Sequence, residues 1–319
     1  METSFETPIL FVIFNRPDIT QQVFNRIKEV KPKYLYIAAD GPRENHPKDL
    51  IDCKGTREIT NQIDWPCELK TLFRNKNIGC GLGVCTAINW FFEQVEEGII
   101  LEDDCLPDIS FFSYCNELLS KYREDKNIFF ISGTNMQNGL IRGHASYFFS
   151  NYTFTLGWAS WRRAWNFFNY DIPDVDESLK NGALCHVFQS AKEKKYWTAK
   201  LAEARKLKLF IWDYQWFYSV WKNNGIGITP NSNLVLNLGY RNNATHDSLR
   251  DSIREPSITE PIKFPLVHPN YEIDRIADKF TFKHALSHSP TRCLRLLKEN
   301  NTNNIIKYAM IKMLSILQK

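Results

Sequence analysis

The chain lacks several patterns, and each absence narrows its chemistry. It has eight cysteines, Cys53, Cys67, Cys80, Cys85, Cys105, Cys115, Cys185 and Cys293, but no CxxC pair and no spacing that suggests a zinc site. No run of about 18 apolar residues occurs, so no segment reads as a membrane-spanning helix. The net charge is only +4, too little to argue for nucleic acid as a partner. No internal repeat and no clear linker divides the chain. Met1 to Thr7 carries Glu2 and Glu6, and the apolar run Ile9–Phe14 is too short for the core of a signal peptide. The expectation is therefore reduced thiols and a bacterial cytoplasmic protein.

What is present points to a globular α/β protein. Hydrophobic residues make up 43% and aromatics 14%, enough to bury a sizeable core in one large domain or two moderate ones. Residues 280–319 hold seven Lys/Arg and one Glu, so a basic tail follows a body of net charge −2. The apolar stretches Ile9–Phe14, Tyr34–Ala39, Leu69–Phe73 and Ile99–Leu101 read as strands. Helical patterns lie between them: Pro17 to Val30, Lys48–Ile63 and Val84–Val95. This alternation predicts a mostly parallel sheet with helices on both faces. Asp108–Tyr122 reads as a further helix, Ile128–Ser132 as a strand, 177–208 as helical, and Leu234–Leu238 as a strand. Aromatics dominate beyond residue 140, and the last forty residues are helix-prone.

The most informative stretch is Gly98 to Pro107, where an apolar strand ends in Glu102, Asp103 and Asp104. In open α/β sheets ligands bind outside the C-terminal strand tips. Three crowded carboxylates repel one another unless a cation or several donors stand between them. With no soft ligand close in sequence, Mn²⁺ or Mg²⁺ shared with a substrate diphosphate suits the place. A solvated acidic loop is the plainer alternative.

Other candidates fall on the same predicted edge. Arg16, in Asn15-Arg16-Pro17, could meet a phosphate or stack on a base, or simply start a helix. Asp40, before Gly41, could accept a uracil N3–H or make a tight turn. The Asn75–Gly83 segment (NKNIGCGLG) lacks the GK[ST] ending of a phosphate loop and does not match GxGxxG, so a close chain approach is the better reading. Lys76 fits surface and site equally. Trp158, in Leu156-Gly157-Trp158, suits either a sugar-stacking face or an aromatic core. Asp213, among Trp212, Tyr214 and Trp216, is either a helix N-cap or a general base kept apart from the metal. Thr245 and His246 lie in a polar segment, Gly239–Asp247, that would suit a lid over a diphosphate. The basic tail, 280–319, could be a solvated helix, a partner helix or a peripheral membrane contact.

These pieces, taken in order, resemble a glycosyltransferase of the GT-A class, and more narrowly N-acetylglucosaminyltransferase I and its bacterial relatives. The resemblance runs from about Pro8 to Asp247. PILFVIFNRP resembles the family's opening strand and Arg, and Ala39-Asp40-Gly41 its base-binding segment. Leu101-Glu102-Asp103-Asp104 with Pro107-Asp108 and Phe111-Phe112 resembles its EDD motif and the helix after it. Thr155-Leu156-Gly157-Trp158 and Trp212-Asp213 resemble its Gly-Leu-Gly-Trp and Trp-Asp segments, and Asn237-Leu238-Gly239 through Thr245-His246-Asp247 resembles its Ser-His loop over the donor, with Thr245 standing where the family has Ser.

The resemblance implies a GT-A, Rossmann-like fold over residues 1–250. Residues 1–135 would bind the nucleotide-sugar and 136–250 the acceptor, with a helical extension of unassigned role over 251–319. It implies that Asp104 ligates Mn²⁺, Asp103 meets the ribose, Glu102 meets the donor sugar, and Asp213 deprotonates the acceptor hydroxyl. Arg16, Asp40, Trp158, Thr245 and His246 would serve the donor. The activity implied is inverting transfer from a UDP-sugar such as UDP-GlcNAc to a glycan or lipid-linked acceptor in bacterial surface-glycan synthesis. Two alternatives remain. A sugar-nucleotide nucleotidylyltransferase would carry a Gly-rich loop with Arg and Lys after the first strand, where this chain has Asn15-Arg16-Pro17-Asp18. A non-catalytic carbohydrate-binding protein would not need both Asp104 and Asp213.

Overall fold

A computed structural model of the chain describes residues 5–152, 154–206, 211–239 and 258–286. Strands β1 (Ile9–Ile13), β2 (Tyr34–Ala39), β3 (Glu68–Phe73) and β4 (Glu97–Glu102) alternate with helices α1 (Pro17–Val30), α2 (Pro47–Arg57) and α3 (Cys80–Phe92). The alternation predicted from sequence is thus present. Along β1, Ile9, Phe11 and Ile13 join one apolar cluster with Phe24 and Ile27 of α1, while Leu10 joins a second with Ile88 and Phe91 of α3. Both faces are buried, which is why the strand reads as a continuous apolar run. Pro17 sits in the first turn of α1, where a missing amide leaves no bond unmade.

The second half adds β5 (Cys105–Pro107), α4 (Ser110–Lys121), β6 (Ile128–Ser132), β7 (Tyr147–Ser150) and β8 (Trp158–Trp161). Helices α5 (Arg162–Trp165), α6 (Val175–Lys180), α7 (Ala191–Lys206) and α8 (Asp213–Lys222) follow, then β9 (Ile226–Pro230) and β10 (Val235–Asn237). One eight-stranded sheet runs β3-β2-β1-β4-β8-β6-β9-β7, and β10 pairs with β5 in a small antiparallel ladder. Only β8 and β7 run against the rest. The chain is therefore a mixed α/β fold with a large, mostly parallel sheet flanked by helices.

The sequence predicts helix throughout 177–208, but the structure breaks it in two. Gly182, with φ of 82°, ends α6, and a capping box starts α7: Glu193 N–H donates to Ser190 Oγ at 3.2 Å, while Ser190 N–H donates to Glu193 Oε2 at 3.1 Å. Residues 258–286 pack on the body. Ile262 and Leu266 join its first apolar cluster. Helix α9 (Arg275–Thr281) inserts the buried Asp278, which accepts from Ser150 Oγ at 2.5 Å. The tail beyond residue 286 lies outside the described residues. Among those residues no helix is long and apolar enough to cross a membrane.

Register fixes where a site can form. Ile13 aligns with Ala39, and Val12 with Glu102, so β1, β2 and β4 end together. Helices α3 and α8 feed β4 and β9 through short turns, so each runs against its strand. Their first residues, Cys80 and Asp213, therefore begin at that same C-terminal edge.

Candidate active site

Phe14, Asn15 and Arg16 leave the tip of β1 toward the acids at the tip of β4. Arg16 is the N-cap of α1, and its carbonyl accepts from the Thr20 amide at 2.9 Å and the Thr20 hydroxyl at 2.7 Å, which fixes its backbone. Asn15 donates to Asp49 at 2.8 Å, and Asp49 is itself paired with Arg43, whose guanidinium holds that carboxyl down at about 2. From this support the Arg16 guanidinium reaches across the edge. Its Nη2 donates to Asp103 Oδ1 and, at 3.0 Å, to Asp104 Oδ2. The second oxygen of the buried Asp103 accepts from the Phe14 amide at 3.2 Å.

The acids shape one another electrostatically. Burial pushes the Glu102 carboxyl up to about 8, helped by Asp104 and Asp103 and opposed by Arg16, with Asp213 adding a further upward push. Burial also raises Asp103, to about 6, against the pull of Arg16. Burial works to lower the Arg16 pKa, but Asp103 and Asp104 outweigh it and the guanidinium stays charged.

Cys80, which sequence reasoning passed over, belongs to the same cleft. The residue is exposed, but desolvation at its thiol raises the pKa to about 12, and Glu102, Asp213, Asp104 and Asp103 all push the same way. Glu102 and Cys80 thus both feel Asp213. The first residue of α8 lies within electrostatic reach of Glu102 although more than 100 residues separate them in sequence. The N-cap of α8 is Trp212, so Asp213 is not the N-cap that the plainer sequence reading made it.

Gly239 opens the Gly239–Asp247 segment that the sequence offers as a lid. The β5–β10 ladder carries the chain over the acids, and the Leu238 amide donates to the Asp104 carbonyl at 2.8 Å. A Cβ on Gly239 would lie 2.6 Å from Asp104 Oδ2 and 3.4 Å from Arg16 Nη1. Any larger residue here would displace the Asp104 carboxylate. The predicted lid segment therefore starts directly at the acids, while Thr245 and His246 lie outside the described residues.

Two predicted donor residues are placed differently. Trp158 is fully buried at the start of β8, packed against Phe130, Trp165, Trp212 and Trp216. It is a core residue here, which corrects the sugar-stacking expectation: a ring closed on all sides by other rings offers no face to a sugar. Asp40 stands at the tip of β2, but its carboxylate accepts from the amides of Gly41, Ile78 and Gly79 at 2.9–3.2 Å. Burial raises its pKa against those amide bonds. These bonds tie the 75–79 loop to the sheet and leave little acceptor capacity for a base. Lys76 in that loop is exposed.

Among the described residues no three His, Cys, Asp or Glu side chains converge as a metal-binding group. The oxygen-rich set around the half-exposed Asp104 fits a hard cation only as one held jointly with substrate phosphates, not in an all-protein cage. The soft Cys80 thiol stands closer to the acids than the sequence indicated. A groove of about 630 Å³ between α4 and Phe264–His268 includes none of these acids.

No protein-family model and no curated protein matches the chain. Among solved structures it is similar to HddC from Yersinia pseudotuberculosis, over 40% of this chain and 57% of that one, at 8% identity and a TM-score of 0.27. The match thus spans less than two thirds of the length of HddC. The chain is also similar to the 4-diphosphocytidyl-2C-methyl-D-erythritol synthase of Anaerococcus prevotii, over 58% and 80% of the two chains, at 10% identity and a TM-score of 0.28. The fold stands on the sheet described above; at these scores neither likeness adds to it or bears on activity.

Proposed function

We propose that the chain is an inverting glycosyltransferase that moves a sugar from a nucleotide-diphospho-sugar, a UDP-sugar such as UDP-GlcNAc, to an acceptor hydroxyl in bacterial surface-glycan synthesis. The observation that carries this reading is the position of Asp213. A carboxylate from the second half of the chain lies within electrostatic reach of Glu102, at the strand tips that also carry Arg16, Asp103 and Asp104.

In the proposed reaction Asp213 takes the proton of the acceptor hydroxyl. The acceptor oxygen then forms its bond to the anomeric carbon as the bond from that carbon to the diphosphate oxygen breaks. One displacement inverts the centre and needs no enzyme nucleophile. Glu102 orients the donor sugar and Asp103 the ribose. Arg16 meets the diphosphate, with Thr245 and His246 closing over it. Asp104 would hold Mn²⁺ or Mg²⁺, which when bound supplies Lewis-acid stabilisation of the departing diphosphate.

Calorimetry with UDP, GDP, CDP and dTDP, with and without Mn²⁺, tests the donor site. One nucleotide should bind tightly only with metal, and Asp104→Asn should weaken it. No binding of any nucleotide would refute the reading. The second reading is nucleotidylyl transfer, in which Arg16 and the acids at the strand tips would hold the phosphates. Release of pyrophosphate from a nucleoside triphosphate and a sugar 1-phosphate would establish it over glycosyl transfer.

A further inference from the structure

The groove between α4 and Phe264–His268 lies apart from the strand tips, and its walls are fixed from beneath. Asn116 and Glu117 stand on one face of α4. The facing wall is tied to β7: the Val267 amide donates to Ser146 Oγ at 2.9 Å, and its carbonyl accepts from the Ser146 amide at 2.8 Å. Two polar groups of the groove are oriented by hydroxyls behind them. Asn116 Oδ1 accepts from the buried Thr7 hydroxyl at 2.7 Å, which leaves the Nδ2 protons for the groove. His268 Nδ1 lies 2.9 Å from the buried Tyr147 hydroxyl, which lies 2.6 Å from that of Tyr122. When Tyr122 donates to Tyr147 and Tyr147 to His268, every proton has an acceptor. The reverse order leaves the Tyr122 proton with none among the described residues. The imidazole proton therefore belongs on Nε2. Burial and Lys121 lower the His268 pKa against the pull of Glu117, so the ring is neutral at pH 7.

His268 Nε2 stands 3.8 Å from Glu117 Oε1. A direct hydrogen bond would be shorter, but one hydroxyl oxygen can lie about 2.8 Å from each, accepting from the imidazole and donating to the carboxylate. Asn116 supplies a donor for a second hydroxyl. Glu117 and Lys121 balance in charge, and an anion in reach of His268 would also meet Glu117, so the groove favours a neutral ligand. Phe264, 44% exposed, adds a ring on the facing wall that can cover C–H surface. Adjacent hydroxyls on an apolar ring face are the chemistry of a saccharide, and a groove of about 630 Å³ is of the size that small ligands occupy.

We infer that this groove is a carbohydrate-binding site separate from the strand tips, in which Glu117 and His268 share one hydroxyl of a neutral saccharide and Phe264 covers its C–H face. Its use would be to retain the acceptor glycan on the enzyme. That use rests on the proposed glycosyl transfer; the binding does not.

The labelled full chain is screened on a glycan array, and the neutral glycan retained best is titrated by calorimetry against wild type, Glu117→Ala and Phe264→Ala. Each substitution should weaken glycan binding by about fivefold or more, the range for loss of a hydrogen bond or of ring contact. UDP affinity should stay unchanged in both. Retention of no neutral glycan would overturn the inference, and so would equal affinity in Glu117→Ala and wild type, which would place the glycan elsewhere. If Phe264→Ala fails to fold, Glu117→Ala decides alone, since its side chain lies on the outer face of α4. Failure of the transfer reading looks different: no nucleoside diphosphate would then bind any of the three proteins, while the glycan and its dependence on Glu117 would remain.

Discussion

Substituting Gly239 by Ala should damage the site while sparing the fold. The added Cβ would stand 2.6 Å from Asp104 Oδ2 and 3.0 Å from Asn237 Oδ1. Ordinary van der Waals contact needs roughly 3.5 Å, so the carboxylate must move by the better part of an ångström. Asp104 is half-exposed and can rotate, so the strain is relieved locally. That rotation breaks its 3.0 Å contact with Arg16. The displaced carboxylate is the proposed metal ligand, so nucleotide affinity in the presence of Mn²⁺ should fall by about tenfold, about 1.4 kcal/mol being one decade. The melting transition should shift by less than about 1 kcal/mol, because reduced chain entropy in the unfolded state offsets part of the strain. Gly98→Ala is the control. There the added carbon would meet the Phe91 ring and the Pro8 carbonyl inside the sheet, which costs stability, by about 1–3 kcal/mol, and does not touch the acids directly. Calorimetry and urea denaturation on both variants decide the matter. Unchanged metal-dependent affinity in Gly239→Ala would refute the claim that the chain crosses the site at Asp104.

Three further outcomes follow from the same geometry. Asp213→Asn should hold nucleotide affinity within about threefold while turnover falls by roughly 10²–10⁴, the range for loss of a general base; a parallel loss of binding would place Asp213 in the donor site instead. Trp158→Ala should cost about 3–5 kcal/mol in a urea melt, with nucleotide affinity unchanged in the folded fraction, whereas loss of affinity without loss of stability would restore the stacking role. The metal-free protein should lose stability as pH rises from 5 to 8. The Glu102 carboxyl, raised to about 8, binds its proton more tightly in the folded state, so its contribution is full below the ordinary value of 4.5 and fades toward 8. Glu102→Gln should flatten this slope in thermal melts, and an unchanged slope would show that Glu102 is not held in its protonated form.

The parts of the fold that could be read in advance are those whose signal is local. The apolar runs at Ile9, Tyr34 and Ile99 mark buried strands because both faces of each are covered, and acids at the end of one run mark its tip. What could not be read depends on register and on reach. Arg16 bonds to Asp103 only because β1 and β4 are neighbours with Val12 opposite Glu102. Asp40 looks free in sequence because the amides that engage it come from residues 78 and 79. Trp158 was ambiguous for a related reason: an aromatic beside glycine reads the same whether its neighbours are rings or a ligand. The capping box at Ser190 and Glu193, by contrast, was present in the sequence and unused, and it alone would have divided the helix predicted over 177–208.

The sheet order explains why one edge gathers groups from both halves. β4 has β1 on one side, running parallel, and β8 on the other, running against it. The strand order reverses between β1 and β4, and open sheets bind ligands at such switch points. The first half supplies Arg16 and the three acids at this tip. In the second half α8 returns to the same edge before β9, with Asp213 as its first residue. In nucleotidylyl transfer the attacking oxygen of a sugar 1-phosphate is already anionic, so no general base is asked of Asp213. Under glycosyl transfer that carboxylate has a task, removal of the acceptor proton. The two readings therefore part at Asp213: if Asp213→Asn leaves every transfer activity intact, the convergence of the two halves is structural and glycosyl transfer loses its main support.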